Sequence, residues 1–123
     1  METEEVETDD TRKLAVWCAG EEWCPITATA ELIGKKWHPV IVHRLLETGP
    51  TGFNSLKDEV GGISSKVLSE SLEDLREKGL VEKEVLSESP KRVQYSLTQQ
   101  GENLRPVIQE MMDWGRQHLA EPS

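Results

Sequence analysis

The chain's hydrophobic pattern changes period at Gly79, and that change constrains its fold more than any other feature. Before it, Val67, Leu68, Leu72 and Leu75 recur on one helical stripe, in a segment that Ser64 can cap and Lys78-Gly79 can close. After it, Val81, Lys83 and Val85 alternate with Glu82 and Glu84, and Val93, Tyr95 and Leu97 alternate with Arg92, Gln94 and Ser96. Two strands follow a helix directly, joined by a hairpin loop over Ser87–Lys91.

Punctuation places the other elements. Pro25 suits the first turn of a short helix with Ala28, Leu32 and Ile33 on its apolar face, closed by Gly34. A second helix starts near Trp37, turns Val40, Ile41, Leu45 and Leu46 inward, and stops at Thr48-Gly49-Pro50. Phe53, Leu56 and Val60 define a third, and Gly61-Gly62-Ile63 is a tight turn. Thr98 caps a final helix over 98–120 whose Leu104, Val107, Ile108, Met111, Met112, Trp114 and Leu119 cover more than one face. The expected fold is α+β and mostly helical.

At 123 residues the chain is the size of one domain, expected over 14–123. Residues 1–13 read as a disordered acidic tail, because the first ten carry Glu2, Glu4, Glu5, Glu7, Asp9 and Asp10 and no base. Those ten residues hold six units of the net charge of −9, whereas the stretch 35–97 is charge-balanced. No apolar run is long enough for a membrane helix, and the acidic start is the reverse of a targeting peptide, so the expectation is a soluble, cytoplasmic chain. Its overall acidity argues at first against nucleic acid, and it also fits a protein of a halophilic archaeon, where salt screens long-range attraction.

A short helix, a glycine turn, a serine-capped helix and a hairpin make the order of parts of a winged helix-turn-helix. The reading helix spans about 64–78 and the wing about 81–97. Ser64, Ser65, Lys66 and Ser69, with Glu70, give the reading helix a short polar face opposite its leucines. Asn54, Lys57, Lys91 and Arg92 are candidate phosphate contacts, as are Lys35 and Lys36. A protein-binding winged helix without a DNA role is the rival reading, favoured by Glu70, Glu73, Asp74 and Glu77.

The words Cys24-Pro25-Ile26, Ile33-Gly34-Lys35-Lys36-Trp37, Phe53-Asn54-Ser55-Leu56, Gly62-Ile63-Ser64-Ser65-Lys66-Val67-Leu68-Ser69, Gly79-Leu80-Val81 and Trp114-Gly115 occur in order. Together with Val93, Tyr95, Leu97-Thr98 and Gly101, they resemble the HxlR family of transcriptional regulators over about residues 23–118. The resemblance implies a homodimeric winged helix-turn-helix with dimerisation helices at both ends, and double-stranded DNA carrying an inverted-repeat operator as partner. It assigns Leu104, Ile108, Met111, Met112, Trp114 and Leu119 to the dimer interface.

The resemblance also makes Cys24 a sensor of oxidants or electrophiles in an oxidative-stress response. At a helix start, orphan N–H groups and the helix dipole favour the thiolate, which is the form such reagents attack. Cys18 is a candidate resolving partner; with only two cysteines, thiols are the expected resting form in a reducing compartment. No cofactor and no metal are expected: His38 and His43, five residues apart, do not share a helical face. The alternatives are a winged-helix regulator without thiol sensing, in which Cys24 is a buried, inert cysteine, and a small thiol enzyme, without a phosphate loop or a histidine near Cys24 in sequence to support it.

Overall fold

A computed structural model describes residues 24–119; the acidic tail, Cys18 and the last four residues lie outside them. The chain divides into two compact units, residues 1–35 and 36–123. The described part of the first is α1 (Pro25–Ile33), with Cys24 as its N-cap, Pro25 in its first turn and Gly34 at its C-cap.

The second unit runs α2 (His38–Thr48), β1 (Thr51–Gly52), α3 (Phe53–Val60), α4 (Ser65–Glu77), β2 (Val81–Glu88), β3 (Lys91–Leu97), α5 (Gln99–Glu102) and α6 (Arg105–His118). Its strands form an antiparallel sheet in the order β1-β3-β2. Thr51 faces Tyr95 and Gly52 faces Gln94 across β1 and β3. Val81 faces Leu97 and Val85 faces Val93 across β2 and β3, and a register shift at Leu86 then bends the wing.

The core draws on every part of this unit. Ile41, Val42 and Leu45 come from α2, Leu56 from α3, Ile63 from the turn, and Leu68, Leu72 and Leu75 from α4. Leu80, Val81, Tyr95 and Ile108 complete it. Each such aliphatic side chain withdrawn from water is worth about 1.5–3 kcal/mol before entropy is counted. Burial pushes the Tyr95 phenol above its usual pKa, a rise to which the Glu73 carboxylate adds and against which Arg76 acts.

Tight joints hold both ends of α4. Thr98 donates from its hydroxyl to the Gly79 carbonyl at 2.7 Å and from its backbone to the Leu80 carbonyl at 3.0 Å. The same hydroxyl accepts from Gly101 N at 3.1 Å, capping α5. Gly101 packs so closely on this joint that a Cβ would stand 2.3 Å from the Leu80 carbonyl oxygen, so no other residue fits without movement. At the other end of α4, Gly61 and Gly62 both take positive φ, which lets the chain reverse tightly between α3 and α4.

Four details differ from the sequence expectation. Val40 and Val67 are exposed, and Val42 and Ser71 occupy the buried positions, because each helix face is rotated from the one the apolar residues alone suggest. The hairpin loop is only Ser89-Pro90, since Ser87, Glu88 and Lys91 pair across the strands. A third strand, Thr51–Gly52, adds to the sheet; two residues show no period. The final helix is two helices, and Thr98 caps only the short first one. Pro106, lacking an N–H, sits in the first turn of a fresh start at Arg105.

Candidate nucleic-acid interface

The local chemistry of α4 separates its faces. Ser64 takes extended backbone angles, and its Oγ accepts from Val67 N at 3.1 Å, satisfying one of the orphan donors of the helix start. Leu68, Ser71, Leu72 and Leu75 then point inward, leaving Ser65, Lys66, Ser69 and Glu70 exposed. Short exposed side chains at the N-terminal end of a helix held by its leucines let a backbone approach base edges. Ser64 is partly committed to the cap, whereas Ser65, Lys66 and Ser69 are exposed beside it.

The wing and α3 make a second surface. A cleft of about 360 Å³ is lined by Asn54 and Ser55 at the start of α3 and by Lys91, Arg92, Val93 and Gln94 of β3, with Gly52, Phe53 and Leu86. The structure thus brings Asn54, Lys91 and Arg92 together, whereas Lys57 does not line this cleft. Ser55 and Gln94 were missed from the sequence, because only the Gly52–Gln94 register brings β3 beside the start of α3. The arrangement offers two cations and several polar donors to a phosphate backbone.

Farther along α4, Asp74 takes 2.7 Å and 2.8 Å contacts on Oδ2 from His38 Nε2 and Lys78 Nζ. Hydrogen bonds from Lys78 and then His38, outweighing the cost of burial, hold its carboxyl down at about 2. His38 therefore serves the inside of the fold, and among the described residues no cluster of His, Cys, Asp and Glu could hold a metal ion.

At the start of α1, Cys24 is buried and its Sγ accepts from Thr27 N at 3.4 Å. The expectation of resting thiols is not what the structure holds: Cys24 is disulfide-bonded, to a partner outside the described residues. A neutral disulfide sulfur is a weak acceptor, whereas a thiolate at the same place would gain from this N–H and the helix dipole.

On α6, Met111, Trp114 and Leu119 are exposed and, with Pro106 and Val107, line an apolar groove of about 710 Å³. The Trp114 and His118 rings lie 4.8 Å apart beside it. Ile108, expected at the dimer interface, is instead buried in the chain itself, and Leu104 and Met112 are half-buried. Of the residues missed there, Val107 lies one turn from Met111 on the same helix, and Pro106 is in that helix's first turn.

Comparisons with known proteins agree with this geometry. The family model described as HxlR-like helix-turn-helix matches residues 32–123. The HTH-type transcriptional regulator YodB of Bacillus subtilis is 39% identical over 104 residues, covering 84% of this chain and 91% of that protein. The quinone-bound structure of YodB superposes with a TM-score of 0.65 at 37% identity, covering 76% of this chain and 98% of that one. The redox regulator HypR in its oxidized form gives a TM-score of 0.72 at 31% identity, covering 80% of this chain and all of that one.

Proposed function

Because this chain belongs to the HxlR-like helix-turn-helix family of transcriptional regulators, we propose that it acts as a cytoplasmic homodimer reading an inverted-repeat operator, and that chemistry at Cys24 sets its occupancy. The observation that carries the DNA reading is α4: buried leucines on one side, exposed Ser65, Lys66 and Ser69 on the other. Two such helices, related by a two-fold axis, would enter major grooves about one helical turn apart, or a multiple of it. The cleft between wing and α3 supplies phosphate contacts that position them.

The apolar groove on α6 supports the dimer. Met111, Trp114 and Leu119 are costly to leave in water, and Leu104 and Met112 edge the same helix. Sensing rests on Cys24 as a helix N-cap engaged in a disulfide. In this reading Cys18 is the resolving thiol. Two thiols give up two electrons and two protons to a peroxide, which leaves as two waters, and the S–S bond forms. Closing that bond alters the segment before α1 and hence the spacing of the two reading helices.

YodB and HypR have been captured in quinone-bound and oxidized forms, a precedent for thiol chemistry in relatives of this size. The relatives are named as regulators rather than enzymes. The acid excess fits a high-salt cytoplasm such as that of a halophilic archaeon. Gel-shift titration with and without hydrogen peroxide tests the sensor. Wild-type occupancy should change on oxidation, and that of Cys24→Ser should not; a wild type indifferent to peroxide would sink the claim.

A further inference from the structure

His38 opens α2 and is almost wholly buried, yet nothing in the helix-turn-helix pattern calls for an imidazole there. Its Nε2 meets Asp74 Oδ2, on the reading helix, at 2.7 Å. Lys78 Nζ, at the C-cap of that helix, holds the same oxygen at 2.8 Å. An ionised carboxylate only accepts, so Nε2 carries a proton and donates, and the ring's other nitrogen is Nδ1. That Nδ1 is buried with no hydrogen-bond partner among the described residues.

A buried ring nitrogen without a hydrogen-bond partner is unfavourable, so an imidazole is a poor way merely to fill this space; an apolar ring would avoid the cost. What it adds is direction. Leu68, Leu72 and Leu75 hold α4 against the core by apolar burial, which is a non-directional force. A rotation of about 10° moves side-chain tips by about 1 Å at the radius of a helix, enough to spoil hydrogen bonds to base edges. A charge-assisted bond from α2 resists that rotation.

We propose that His38 is a positioning residue for DNA reading: through Asp74 it fixes the rotation of α4, so that Ser65, Lys66 and Ser69 meet base edges in register. The proposal rests on α4 being the reading helix. Base discrimination depends on the rotation of α4, whereas attraction to the phosphate backbone depends chiefly on charge. Loss of the bond should therefore reduce selectivity and spare nonspecific affinity.

The test uses a 30-base-pair duplex enriched by the wild-type protein from a random pool, with a scrambled duplex as control. His38→Phe should bind the enriched duplex about tenfold more weakly and the scrambled duplex within twofold of wild type. His38→Gln, whose side-chain amide can stand where Nε2–H stood, should recover to within threefold; His38→Asn, which mimics the other nitrogen, should not. Asp74 is partly exposed, so Asp74→Ala should fold even if His38→Phe does not, and it should show the same loss of selectivity. Nitrogen-15 spectra should show a protonated Nε2.

Wild-type selectivity in both His38→Phe and Asp74→Ala, or a proton on Nδ1 alone, would overturn the positioning role while leaving the DNA reading intact. Failure of the wild type to enrich any duplex would overturn both.

Discussion

At the scale of single residues, two side chains carry most of what distinguishes this chain. Asp74 is held at about 2, below its ordinary 3.8, so it contributes stability that is fully present above pH 3.8 and is lost as the pH falls through 2. Thermal unfolding of wild type and Asp74→Asn should therefore differ most near neutrality, draw together as the pH falls below 3.8 and converge below about pH 2. A gap that stays constant down to pH 2 would contradict the ion pair. Cys24 makes the complementary case. Serine is as good an N-cap, so Cys24→Ser should leave α1 and the dimer intact while removing the response to oxidant, as read by circular dichroism and gel shift. The helix start was legible in Cys24-Pro25, whereas the disulfide was not, because thiols were the expected form. The His38–Asp74 contact was not, because it joins residues 36 apart on two helices, and no periodicity encodes such a pair.

At the scale of elements, starts were easier to read than faces. Ser64 and Thr98 announced helices because capping is local chemistry, and both side chains make the expected bonds. Val40 and Val67 were misassigned because an apolar residue beside a stripe is not distinguished from one on it until packing is known. Pro106 was a readable break that the long apolar run concealed. The joint between α4 and α5 yields a sharp prediction. Gly101→Ala should lower stability by at least about 2 kcal/mol in chemical denaturation, since its methyl would collide with the Leu80 carbonyl. Alanine tolerated without loss would mean that this joint is loose. On the wing, Lys91→Ala and Arg92→Ala should each weaken binding to all sequences alike and reduce the slope of log affinity against log salt by about 1.

At the scale of the whole molecule, the net charge of −9 seemed to exclude nucleic acid and does not, because the charge-balanced stretch 35–97 contains α4 and the wing. Phosphate contacts then fall to a few placed cations, so nonspecific affinity should be weak. In the proposed dimer the exposed face of α6 is the interface. Trp114→Glu should convert dimer to monomer in light scattering and weaken operator binding at least tenfold, as one reading helix loses its partner. A monomeric wild type would contradict that arrangement. The central claim is that α4 reads DNA sequence, and selection from a random pool tests it most directly. The wild type should enrich an inverted repeat that Ser65→Glu, still folded and dimeric, no longer distinguishes from scrambled duplex. Undiminished discrimination by Ser65→Glu would contradict the account.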